Sequence, residues 1–447
     1  MKPVSLILAA FAIVLPLLAS DRAGVVASPP AQWREVSVLD YVAAGATPDG
    51  SDLQEALNDQ LRVFVPAGTT LVVSDEITIS AGRTLLIDGT LSAAPSRPAN
   101  WRMLRVHAAT DVTIGGRGTL DANKGSQALD GAGLTNLYGI WISGATSRVT
   151  IEDVFLKDFR GGIWSPTDGA WRDDCRIARV RTSGGLIGIA ALSWRNGRIS
   201  EPTVTGAKHQ GLNLYNAAGV QVLGGTVSNI GYTASDSAGV IAELAPDAVV
   251  AGLSIRDVEG HGIRVANKSH RATIEGNRIE RTGWLNGAIT HGSSSGIAAF
   301  IGPVGGESKD LSIRDNFIRT TAGYGIVVHP GLTAAVEHND LAFMGDPGIA
   351  FIGSGNVTGN RVHAADGQGI VIGPDLDGGP FQAALVSVTG NTVTGSGMAG
   401  IFGNGSPAAG LIAGNVLSGN GAGVILQDWN WGSQTFTPGP LVEGNIE

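Results

Sequence analysis

The sequence predicts an all-β fold, a single-stranded right-handed parallel β-helix (a solenoid) with a short N-terminal capping helix, and three observations carry that prediction. The first is a Gly-apolar-x-apolar phrase that recurs down most of the chain. It reads Gly139-Ile140-Trp141-Ile142, Gly211-Leu212-Asn213-Leu214, Gly262-Ile263-Arg264-Val265, Gly325-Ile326-Val327-Val328 and Gly369-Ile370-Val371-Ile372, among others. Its period of roughly 21–35 residues falls in the range of solenoid repeats. A repeat that short cannot bury a face alone, so neighbours must stack. The second is an offset phrase with Asn at its centre: Gly276-Asn277, Asp315-Asn316, His338-Asn339, Gly359-Asn360, Gly390-Asn391 and Gly414-Asn415. One Asn per coil can stack its amide on the next. The third is that the intervening runs are β-branched and lack helical periodicity, and no Leu-rich consensus replaces it. Glycine is needed where turns take φ > 0, and 66 glycines fit many tight turns.

Composition narrows the functional class. With 43% hydrophobic and 15% charged residues the chain is not disordered. A net charge of −9 and a pI near 5.4 argue against nucleic acid as a partner. Cys175 is the single cysteine, so no internal disulfide can form, and its strand-like surroundings predict burial.

In chain order, residues 1–20 read as a secretory signal peptide: Met1-Lys2, an apolar run over 4–18, and small residues suited to cleavage after Ser20 or Ser28. The run is shorter than the roughly 20 residues of a spanning helix. The expectation is export to the bacterial periplasm or medium, with no membrane association after cleavage. Residues 21–60 form an N-terminal cap, in which Leu53-Gln54-Glu55-Ala56-Leu57 is a short helix capped by Ser51 or Asp52. Residues 61–447 form the β-helix without a domain break. Its connections lengthen at 229–238, 282–295, 302–310, 374–382 and 428–440, and long loops on a rigid scaffold are where function concentrates. The last residues, 442–447, still read as a strand, so the final coil presents an open edge that either the loop from Asp428 or a partner subunit covers.

The opening, with Asp40-Tyr41, Asp49-Gly50, Asp52 and Val63-Phe64-Val65-Pro66-Ala67-Gly68, resembles the N-terminal coils of the pectate-lyase superfamily, with Val42 where Gly is usual. The resemblance implies the β-helix and an activity on polysaccharide. β-Elimination at a uronic acid stands first, and glycoside hydrolysis or C5 epimerisation are the alternatives. The same solenoid also hosts non-catalytic carbohydrate-binding and surface-assembly proteins.

Reading only the outward strand positions locates a candidate site. They are bland at the outer coils (Ala190, Leu192, Ala350, Ile352) and change character in the middle, at Asn213, Tyr215, Glu243, Arg264, Phe300 and His329. Coils stack about 4.8 Å apart, so Tyr215, Glu243, Arg264 and His329 define a groove wall of roughly 20 Å. Titratable and aromatic groups converging on one strip are the signature of a site. Within it, Tyr324-Gly325-Ile326-Val327-Val328-His329 is similar to the Y-G-F-D-P-H segment of mannuronan C5-epimerases. That similarity places the family's Tyr and His at Tyr324 and His329, and Val327 at its Asp.

Elimination α to a uronate carboxylate needs a base, an acid and an offset for the carboxylate charge. His329 and Tyr324 are the candidates for base and acid. Arg264 and Lys268 are the candidates for the carboxylate clamp, within a basic patch that includes His270 and Arg271. A hydrolase needs two carboxylates, for which Glu243 and Asp236 are nearest. Tyr215, Asn213, His261, Lys268, His291, Trp141 and Trp164 complete the candidate substrate-binding set; the two outward Trp can stack on sugar rings. No cofactor or metal site is expected, although Asp375 and Asp377 offer oxygen ligands of the kind calcium takes.

Overall fold

The computed structural model describes residues 35–231, 237–285, 288–289, 294–373, 386–404, 410–427 and 441–445. The signal-peptide segment, Asp236, His291, Asp375 and Asp377 lie outside them. The described chain is a parallel solenoid in which each coil contributes one strand to each of three long sheets of 16, 14 and 14 strands. One of the 14-stranded sheets, here the front sheet, carries the glycine phrase. Its successive strands include Gln210–Tyr215, Ala238–Glu243, His261–Ala266, Ile297–Phe300, Ile326–Val328 and Ile349–Phe351. No helix among the described residues is long and apolar enough to cross a membrane.

Register explains the phrase. The residue after each glycine pairs with its counterpart one coil on: Ile140 with Ile163, then Ile189, Leu212, Val240, Ile263, Ile297, Ile326, Ile349, Ile370 and Ile401. All are fully buried, a continuous aliphatic column in which each side chain contributes about 1.5–3 kcal/mol of transfer free energy. The asparagines form the expected ladder. The Nδ2 of Asn277, Asn316, Asn339, Asn360, Asn391 and Asn415 each donates to the Oδ1 of the next member, ending on Asn445, at 2.9–3.0 Å. Asn360→Leu strands the backbone N–H and amide of Asn339, which donate to its Oδ1 at 2.9 Å. The expected cost is about 1–3 kcal/mol for each orphaned group, read as a lower urea midpoint.

Two local expectations change. The helix spans Gly50–Asp59 and is capped by Asp49, whose carboxylate accepts from Ser51 N while Asp52 accepts from Asp49 N in a capping box. The cap therefore precedes Ser51 and Asp52, and Asp52 completes it from the third helical position. Glycines of the Asn phrase do supply turns, with Gly276, Gly359, Gly390 and Gly414 at φ 61–66°, but those of the Gly-apolar-x-apolar phrase do not have φ > 0. A Cβ on Gly239 would lie 2.6 Å from the Gly262 carbonyl oxygen, and one on Gly325 would lie 2.5 Å from that of Gly348. They are glycines because the coils approach too closely for a side chain.

Glycines hold many turns with φ > 0, and charged residues hold others. Arg148, Arg179 and Arg271, at φ 52°, 52° and 57°, clamp Asp111, Asp153 and Asp247 of the preceding coil with two hydrogen bonds each. These arginines hold the three carboxyls below the usual aspartate range. Cys175 is buried as expected, and burial pushes its thiol up to about 11.

Candidate active site

The middle of the front sheet brings most of the candidate residues together. Tyr215 and Glu243 are register partners, and the same row continues through Ala266 and Phe300. The neighbouring row runs Trp141, Trp164, Ala190, Asn213, Ile241, Arg264, Ala298, Val327 and Ala350. Arg264 thus stands beside the expected wall rather than in it. The outward residues at the last three of these positions are small and apolar, and Ala298, Val327 and Ala350 form a floor on which Phe300 and Tyr324 both lie. That floor gives Val327 a physical role at the position where the epimerase segment has Asp.

Around the floor stand four polar groups. The Phe300 ring lies 5.8 Å from that of His329 and 6.3 Å from that of His261, with the Arg264 guanidinium 5.2 Å from its centroid. Ser295 N donates to His261 Nδ1 at 3.1 Å, which puts the proton of the neutral ring on Nε2. Tyr324 hydrogen-bonds the carboxyl of Asp346, which the next coil supplies. Burial pushes that carboxyl above the usual aspartate range, and the Tyr324 bond offsets the effect only in part. Asp346 was not found from the sequence. It stands two residues before a phrase glycine, in Asp346-Pro347-Gly348, and outward strand positions alone do not reach it.

Arg264 and Glu243 are each 8% exposed and form an ion pair at 3.2 Å, with Asn267 Nδ2 donating to the other Glu243 oxygen at 2.7 Å. The expected basic patch is dispersed. Arg264 faces Glu243, Arg271 is bound to Asp247 on an outer turn, and His270 accepts from Lys309 N. Lys268 is exposed at a turn, its backbone N bonded to Gly306, so it does not join Arg264 in a clamp. Asn213 donates to Gln210 at 2.7 Å.

Trp141 and Trp164 stack on consecutive coils, nearly parallel at 12° with centroids 6.5 Å apart. Tyr138 meets both edge-on, and Arg102 lies 4.5 Å from the Trp141 centroid. Among the described residues, no three His, Cys, Asp or Glu converge as a metal site would require.

Comparison with known proteins places this geometry. The family model described as "Right handed beta helix region" matches residues 167–341, a stretch that includes Ala298 and Val327 of the floor and ends before Asp346 and Ala350. The chain is a right-handed parallel β-helix protein. Two solved structures, at TM-scores of 0.52 and 0.50, agree on the fold. The catalytic domain of a GH87 α-1,3-glucanase, in complex with nigerose, matches at 14% identity and TM-score 0.52, over 90% of this chain and 69% of that one. A doubly substituted tailspike protein of E. coli bacteriophage HK620, in complex with a pentasaccharide, matches at 12% identity and TM-score 0.50, over 88% and 78%. The A-module of an Azotobacter vinelandii mannuronan C-5 epimerase matches at 14% identity over 92% and 98%, with a TM-score of 0.48. No curated protein matches the sequence.

Proposed function

We propose that this β-helix protein is an exported carbohydrate-active enzyme that takes a polysaccharide along its front sheet and cleaves it by β-elimination at a uronic acid. The observation that carries the reading is the Tyr324–Asp346 pair, set on an apolar floor shared with Phe300 beside His329. His329 takes the C5 proton, and that electron pair forms the C4=C5 bond. The C4–O4 bond breaks, and O4 takes the Tyr324 proton, which Asp346 then restores. Arg264, beside the Phe300 ring and paired with Glu243, is the cation that offsets the substrate carboxylate. The apolar floor strengthens each of these interactions by keeping water away. The leader-like residues 1–20 support export.

The raised Asp346 carboxyl favours a second reading, in which it is the general acid of a glycoside hydrolase. That reaction needs a second carboxylate within about 5–9.5 Å. Glu259 and Glu243 stand three and four strands away in the front sheet, about 14 and 19 Å at the coil spacing. Asp366, one coil beyond Asp346 and next to Gly367, is a nearer carboxylate, so elimination is preferred on His329 standing beside Tyr324 rather than on the lack of a second carboxylate. The test is a panel of polyuronates and neutral polysaccharides, with ultraviolet absorbance of unsaturated ends and reducing ends followed in parallel. Both signals rise for a lyase, and reducing ends alone rise for a hydrolase. His329→Ala and Tyr324→Phe should each remove the activity.

A further inference from the structure

A cavity of about 320 Å³ opens beside the front sheet four coils before Tyr324. Its walls include Trp171, Tyr215, Thr167, Ser193, Asn216 and Leu244, and no residue lining it is charged. We infer that it is a subsite for a single neutral pyranose, carried as a side branch of the polysaccharide. The inference rests on the proposed function for the direction in which the chain lies.

Four features fit such a guest. The volume is at the low end for small-molecule sites, with room for one sugar ring. Trp171 and Tyr215 come from coils two apart, about 10 Å along the axis, so both can contact one sugar ring in the cavity. The polar groups present are those that hydroxyls pair with: the Asn216 amide, which donates to Ser193 Oγ at 3.2 Å, and the Thr167 hydroxyl. The walls are also held in place. Arg195 packs 5.0 Å from the Trp171 centroid and is itself fixed by two hydrogen bonds to Asp173. No lining residue is charged, and Arg195 behind Trp171 is already neutralised by Asp173, so the site favours a neutral guest over a uronate.

Position sets the spacing. Tyr215 shares its strand with Asn213, which lies in the same row as Arg264 and Val327. Its strand is separated from Ile326–Val328 by four steps of the sheet, about 19 Å. An extended hexose chain advances by nearly one coil per residue, so the branch would sit about four residues from the bond that is cleaved.

The test is saturation-transfer NMR on the full chain, using glucose, galactose, mannose and glucuronate singly as probes. Saturable transfer is expected to at least one neutral sugar and not to glucuronate. Tyr215→Ala and Trp171→Ala should each weaken it about tenfold, the value of one lost stacking face. Tyr215→Phe, which keeps the ring, should retain it. Absence of transfer to all three neutral sugars, equal transfer to glucuronate, or binding unchanged in both alanine variants would overturn the inference. Binding is measured without turnover. A protein that binds neutral sugar here and cleaves no glycan contradicts the proposed function alone, and one that cleaves polyuronate without binding contradicts the subsite alone.

Discussion

Gly239→Val is expected to prevent the solenoid from forming as a soluble, stable protein. Any Cβ at this position would lie 2.6 Å from the Gly262 carbonyl oxygen and 2.8 Å from Ile255 Cγ2. Neither can move away, since the first belongs to the backbone of the next coil and the second is fully buried. Even Gly239→Ala forces the coils apart, at about 1–3 kcal/mol for overpacking a filled interior. In a solenoid each coil is stabilised by its neighbours, so separating one pair weakens both halves. Gly125, with nothing within 4 Å of its hypothetical Cβ, is the control. Gly125→Ala should fall within about 0.5 kcal/mol of the parent in urea unfolding. A Gly239→Ala protein as stable as that control would show that the coils yield more easily than the contact distances imply.

Asp346→Asn is expected to remove activity while leaving the fold intact and, at neutral pH, somewhat more stable. The sign follows from its titration. Burial raises the folded pKa of Asp346 above its unfolded value, so the protonated form is favoured in the folded state. Its contribution to stability is fully present below the unfolded pKa, about 3.9, and is lost as pH rises through the folded value. The uncharged amide escapes that loss. The stability advantage of Asp346→Asn should therefore shrink as pH falls toward the unfolded value, when unfolding is followed by circular dichroism. Loss of activity combined with a gain in stability marks a residue kept for chemistry. A variant that unfolds more readily at neutral pH would make Asp346 a structural partner of Tyr324 instead.

The coil frame was legible in the sequence because local alternation carries it. The Ile after each glycine and the Asn of each offset phrase announce their own register, and both columns are where the periodicity puts them. The reason for the glycines was not legible: φ can be guessed from a turn sequence, whereas the approach of a carbonyl from the next coil cannot. The helix cap moved by two residues because several acidic and hydroxyl side chains near Gly50 can fill the position. For the site, Glu243, Arg264 and His329 were visible as outward polar positions of the middle coils, and Tyr324 by its likeness to the epimerase segment. Two things that set their chemistry were not visible. Glu243 engages Arg264 from the preceding coil, and Asp346 reaches Tyr324 from the following one. Both contacts cross between coils more than twenty residues apart, where strand periodicity says nothing about which side chains meet.

The most direct test of the account is the absorbance of unsaturated uronate ends released from a polyuronate panel, compared between the parent protein and Asp346→Asn. The account predicts a rise, matched by new reducing ends, for the parent protein on at least one polyuronate, and none for the variant. Reducing ends without absorbance, or equal activity in the two proteins, would contradict elimination at the Tyr324–Asp346 pair.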